Sequence, residues 1–188
     1  MANWKFDAAH TAVTFSARHM MVTTVHGRFA PPTGKLVFDP ANPAASYVEA
    51  EIDATTISTG VDQRDAHLKS ADFLEVDKFS TITFKSTKVE ITGENEGKIT
   101  GDLTIHGVTR PVTLNVEHLG VVNSPFGDQR AGFTASTKIN REDWGLTYNM
   151  AIEAGGFLVG KELKIELDVE AILVPETEAA TTTATAQA

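Results

Sequence analysis

Apolar and polar residues alternate one for one along most of this chain. Between Glu162 and Leu173, the residues Leu163, Ile165, Leu167, Val169, Ala171 and Leu173 fall on one parity, and Glu162, Lys164, Glu166, Asp168 and Glu170 on the other. A helix would scatter those apolar side chains around its circumference, whereas a strand sets them all on one face. Val48, Ala50 and Ile52 alternate with Glu49, Glu51 and Asp53 in the same way. The rhythm returns in Ile99/Leu103/Ile105, Val112/Leu114/Val116 and Phe133/Ala135/Ile139, and more briefly at Trp4/Phe6, Val13/Phe15/Ala17, Leu36/Phe38 and Ile82/Phe84. After Phe84 the parity slips to Val89/Ile91, which predicts a bulge near Ser86 and Thr87.

The pattern yields eight or nine strands whose connections are too short for crossover helices, so the sheet is expected to be mainly antiparallel. Turn signals agree: Gly93-Glu94-Asn95-Glu96-Gly97, His106-Gly107 and Asn123-Ser124-Pro125-Phe126-Gly127. One segment departs from period two. Thr59-Gly60-Val61-Asp62 reads as a capping box with Asp in place of Glu, and Val61, Leu68 and Ala71 recur at helical spacing. A helix is expected over 61–70, extending at most to 75, across one end of the sheet. Two-faced strands with so little helix predict a closed barrel or a sandwich. Residues 2–174 form the expected folded unit. The stretch 175–188, with five Thr, five Ala and two Glu, holds no large apolar residue and is expected to stay unordered.

Composition narrows the functional classes. With 41% apolar residues in 188, the chain has core material for one domain, or two small ones at most. Its 16 basic and 25 acidic residues leave a net charge of −9, which is repelled by phosphate backbones, so no nucleic-acid partner is expected. The absence of cysteine removes disulfides, thiolate metal sites and cysteine nucleophiles. No stretch approaches the roughly 18 apolar residues of a membrane span, and the opening Met1–Asp7 carries no apolar leader core. As written, the chain reads as soluble and cytoplasmic, or as periplasmic or extracellular if a leader has been removed.

Several motifs fail on their own chemistry. Gly155-Gly156-Phe157-Leu158-Val159-Gly160-Lys161-Glu162 approaches a phosphate-binding loop, but Glu stands where the magnesium-binding hydroxyl belongs, and a strand follows where a helix must. The six histidines form no i,i+4 pair, so no metal site is expected. No nucleophile elbow marks a serine. Two basic pairs are more informative. Arg64 and His67 share a helix face with Val61, Leu68 and Ala71, and Arg18-His19 ends the strand Val13–Ala17 before Met20-Met21-Val22. Cations at the end of an apolar face suit an anionic head group whose tail runs inward. They equally suit an Arg–carboxylate pair fixing the helix to the rim, for instance Arg64 with a nearby Asp.

Several of these segments carry a resemblance in order and spacing. They are Trp4-x-Phe6-Asp7-x-x-His10-Thr11-x-Val13-x-Phe15-Ser16-x-Arg18-His19 and Val25-x-Gly27-x-Phe29, then Thr59-Gly60-x-x-x-Arg64-Asp65-x-His67-Leu68-x-Ser70-x-Asp72-Phe73. Ile82-x-Phe84-x-Ser86, Gly101-Asp102-Leu103-Thr104-Ile105-His106-Gly107-Val108-Thr109-Arg110-Pro111 and Asn140-Arg141-x-Asp143-Trp144-Gly145 follow. From Trp4 to about Val174 the chain resembles the YceI-like family of polyisoprenoid-binding proteins. It departs in carrying Thr11 where Ser is common and Trp144 where Phe is common, and it lacks the export signal of many members.

The resemblance implies an all-β fold, an extended eight-stranded antiparallel barrel of lipocalin-like form with the short helix near its mouth. It implies a non-catalytic carrier, storage or sequestering protein for an isoprenoid or quinone-like lipid, with that lipid as ligand and no other cofactor. Arg18, His19, Arg64 and His67 become head-group candidates. Phe15, Met20, Phe29, Phe38, Ile52, Phe84, Leu103, Phe133 and Ile165 become candidates for the hydrophobic tunnel. Rival readings are a haem-binding barrel using His19 or His67, and a small lipid-modifying enzyme. A homodimer through an exposed barrel edge is compatible with the pattern.

Overall fold

The computed structural model describes residues 2–153 and 155–175. The expected unordered tail therefore lies, from 176 onward, outside the described residues. The strands are β1 (Asn3–Phe6), β2 (Ala12–His19), β3 (Thr23–Phe29), β4 (Thr33–Val37) and β5 (Tyr47–Asp53), then β6 (Thr81–Ile91), β7 (Glu96–Ile105), β8 (Val108–Asn123), β9 (Gln129–Asn140) and β10 (Val159–Leu173). One α-helix, α1 (Asp62–Lys69), stands between β5 and β6. No helix among the described residues is long and apolar enough to cross a membrane.

Ten strands make eight staves, because two staves are broken in the middle. β10 pairs with β2 from Val159↔His19 to Asp168↔Ala12, and then with β1 at Ala171↔Phe6 and Leu173↔Trp4. β1 and β2 thus lie end to end along one long partner. β3 pairs with β2 and β4 with β1 in the same manner. Between β3 and β4 stand Pro31 and Pro32, which have no N–H to give to a ladder. From β4 the pairing runs through β5, β6, β7, β8 and β9 to β10, every neighbour antiparallel, and the β1–β10 pairing closes the ring. Beside the broken stave, Arg28 and Ser58 exchange two main-chain hydrogen bonds of 2.9 Å. The expected bulge is present as a shift of the β6–β7 register between Ser86 and Lys88.

The helix is shorter than the pattern suggests and is capped differently. Val61 at its N-terminus makes no side-chain cap. Instead the Asp65 carboxylate turns back to accept from the Thr59 amide at 2.8 Å and from the Thr59 hydroxyl. The link ties the helix to the chain before it, which is the work the expected capping box would have done.

Two apolar clusters are buried in the barrel, one toward each end. Near α1, Ile57, Leu74, Val76, Ile82, Leu103, Ile105, Ile139 and Trp144 are buried together, and the Trp144 indole donates to the Leu103 carbonyl at 3.1 Å. At the other end Trp4, Leu36, Phe38, Ala131 and Ala171 form a second cluster, and Trp4 donates to the Phe38 carbonyl at 2.9 Å. Between these clusters the inward residues of β10, Leu163, Ile165, Leu167 and Val169, are only half-buried. Strand residues on an inner face keep accessible surface when they border an internal space.

Candidate functional site

That space is a cavity of about 1120 Å³, a little above the roughly 300–1,000 Å³ typical of small-molecule sites. Its wall is made mostly of the inner faces of the strands, with α1 and the loop before it at one end and the β6–β7 turn at the other. Of the tunnel candidates, Phe15, Phe29, Phe38, Ile52, Phe84, Leu103, Phe133 and Ile165 all lie on the wall. Phe15 and Phe29 pack ring to ring with centroids 5.5 Å apart. The inward setting of Phe15 requires glycine next door, since a Cβ at Gly27 would stand 2.2 Å from the Phe15 ring.

Met20 does not belong to this set. It follows the last residue of β2, where the chain reverses, and both Met20 and Met21 take left-handed backbone, with φ of +49° and +63°. Met20 is 41% exposed and is not part of the cavity wall. The hairpin connecting β2 to β3 overrides the parity that would have carried the side chain inward.

The four basic candidates all border the cavity at the α1 end. Arg64 is held by its own loop: Nε donates to the Thr59 hydroxyl at 2.6 Å and Nη2 to the Thr59 carbonyl at 3.0 Å. The same hydroxyl donates to Asp65. Burial pushes the Asp65 carboxyl up, but the Thr59 hydroxyl and amide outweigh it and hold the group below the usual carboxylate range. No direct arginine–carboxylate pair forms at Arg64 among the described residues; Arg64 and Asp65 instead meet at the Thr59 hydroxyl. His67 Nε2 lies 2.8 Å from Asp72 Oδ2, and its ring meets Phe73 and Tyr148 edge-on with centroids 5.1 and 4.9 Å away. His19 is half-buried opposite Val159, whereas Arg18 lies on the exposed parity of β2.

Two wall residues carry chemistry that the sequence reading did not single out. Arg141 is only 2% exposed, and its guanidinium donates to the carbonyls of Gly160 at 3.0 Å, Val159 at 3.4 Å and Leu146. No carboxylate pairs with it among the described residues, and burial pushes its pKa down. It straps the loop after β9 to the start of β10 and leaves a cation in the wall. His118 stacks edge-on against Phe38, with centroids 4.9 Å apart, and lies 5.2 Å from Phe133. It shares the inward parity of Val112, Leu114 and Val116, which is the signal that could have found it.

An eight-stave antiparallel ring closed around a long apolar cavity defines a lipocalin-like barrel. The family model described as the YceI-like domain matches residues 4–171, and the chain belongs to that family. A UPF0312 protein of Vibrio cholerae serotype O1 is 40% identical over 138 residues, 73% of each chain. A UPF0312 protein of Staphylococcus aureus is 39% identical over 171 residues, covering 90% of this chain and 97% of that one. The crystal structure of a YceI protein from Campylobacter jejuni superposes with a TM-score of 0.73 at 29% identity, over 84% of this chain and 90% of that one. A polyisoprenoid binding domain from Saccharophagus degradans shares the fold with a TM-score of 0.67 at 16% identity, covering 93% of this chain and all of that one.

Proposed function

We propose that this protein binds a long isoprenoid-like lipid inside the barrel and carries, stores or sequesters it without altering it. The observation that carries this reading is the apolar cavity between the two end clusters, with its polar groups concentrated at the ends. Burying one five-carbon unit contributes about 3–4 kcal/mol gross, at about 0.8 per CH₂. Several units in succession exceed the association cost of about 4–15 kcal/mol. Hydrophobic burial supplies the affinity, and Arg18, His19, Arg64 and His67 orient an anionic head at the α1 end. The shared fold of the polyisoprenoid binding domain from Saccharophagus degradans supports the same ligand class.

A binding role rather than catalysis fits the state of the polar groups. Ser46 and His118, both on the wall, are not hydrogen-bonded to one another, and the Thr59 hydroxyl is engaged between Arg64 and Asp65. Neither arrangement is an activated nucleophile. Solvent extraction of gently purified protein followed by mass spectrometry should yield a near-stoichiometric isoprenoid lipid. Finding no lipid, and no uptake of added polyprenyl compounds, would overturn the reading.

A further inference from the structure

Among the described residues, three buried side-chain polar atoms lack a hydrogen-bond partner: Ser46 Oγ, His106 Nε2 and His118 Nε2. His106 lies off the cavity wall, with Nε2 3.4 Å from the Glu75 carboxylate. Ser46 and His118 both line the cavity, at the end remote from α1. The register that pairs Val37 with Tyr47 brings Ser46 level with Phe38, and the Phe38 ring meets the His118 imidazole at 4.9 Å. Folded proteins seldom leave buried polar atoms unpaired, because each has given up its water without compensation. A phenyl ring at 118 would pack against Phe38 and Phe133 as well as an imidazole does, so Nε2 adds nothing to that packing.

We infer that Ser46 and His118 form a second polar subsite, which hydrogen-bonds a neutral oxygen function, hydroxyl or carbonyl, carried by the bound lipid. The inference rests on the lipid reading of the cavity and adds the head-group class. Glu94, Glu96 and Lys98 border this end, so it offers an anion no net positive field. Burial pushes the His118 imidazole toward its neutral form, in which a ring nitrogen donates or accepts one hydrogen bond, and the Ser46 hydroxyl does both. The two ends of the cavity then select different heads, an anion beside α1 and a neutral oxygen here.

The test uses the delipidated full chain and two probes, the isoprenoid alcohol geranylgeraniol and the hydrocarbon that lacks only its hydroxyl. Dissociation constants are compared for the unaltered protein, Ser46→Ala, His118→Phe and the double variant. The ratio of alcohol to hydrocarbon affinity should fall about tenfold in the double variant, while hydrocarbon affinity changes little. A ratio that stays constant across the variants overturns the subsite. An unaltered protein that binds neither probe removes the lipid reading instead, a distinguishable result. Should His118→Phe fail to fold, nitrogen NMR of the unaltered protein decides. The His118 Nε2 resonance must move with the alcohol and not with the hydrocarbon, and equal movement with both overturns the inference.

Discussion

Arg64 reaches a carboxylate only through the Thr59 hydroxyl, and it still borders the cavity. Arg64→Ala should weaken a pyrophosphate-headed isoprenoid by about 1.5–3 kcal/mol more than the matching hydrocarbon, the worth of one charge-assisted contact. Titrating both ligands into delipidated protein measures this, and equal losses would assign Arg64 to holding α1 alone. Two histidines should mark the pH profile in opposite senses. Its hydrogen bond to Asp7 draws His10 upward, so its contribution is complete below the unfolded value of about 6.5 and is lost as pH rises through the raised folded value. Burial draws His118 downward, so its contribution is complete above about 6.5 and is lost as pH falls toward the depressed folded value. Melting curves from about pH 5.5 to 7.5 should therefore lose part of their acid-side decline in His118→Phe. A profile that superimposes on that of the unaltered protein would refute this. The inward direction of His118 was legible in its parity, but its missing partner was not, because Phe133 of β9 and Phe38, just past the end of β4, reach it from distant parts of the chain. Met20 misled for a related reason: a turn obeys the pairing on both its sides, not the parity of one.

Among the elements, β10 shows most plainly what an alternating pattern does and does not reveal. Its apolar parity faces inward throughout, as the sequence predicts, and Ile165 sits at the middle of the cavity wall. In a solid core, Ile165→Trp would cost typically about 1–3 kcal/mol by overpacking. In this barrel the ring can enter the cavity, so the melting temperature of delipidated protein should change little while lipid affinity falls tenfold or more, about 1.4 kcal/mol. A strongly destabilised variant with unaltered affinity would place Ile165 in packed core. The division of staves was less legible. Pro31-Pro32 marks one interruption, but the length of β10 that lets it serve β1 and β2 in turn emerges only when the partners are aligned. The capping of α1 escaped because Asp65 looks like an ordinary first-turn acid until Thr59 is seen beside it.

The molecule as a whole is a closed ring of strands around an apolar interior, and its parity pattern would be the same for a filled core. The cavity was therefore expected only from the family resemblance, since alternation names the inner face without measuring the distance across it. A bound lipid should raise apparent stability by mass action, about 2.7 kcal/mol at one hundred times the dissociation constant. At about 2–4 °C per kcal/mol for a chain of this size, delipidation should lower the melting temperature by roughly 5–11 °C. Calorimetry before and after extraction reads this directly, and an unchanged midpoint would speak against any tightly held guest. The wall is not equally strong around its circumference. β9 and β10 are laced together from Glu162↔Asn140 to Ile172↔Arg130, whereas β3 meets the 56–58 segment through the Arg28–Ser58 pair and one bond from the Ala30 amide to the Thr56 hydroxyl. Parting that seam leaves the β1–β4 and β9–β10 ladders whole. The barrel wall is thus stitched thinly at this seam, and a guest that left sideways would have only these few hydrogen bonds to open.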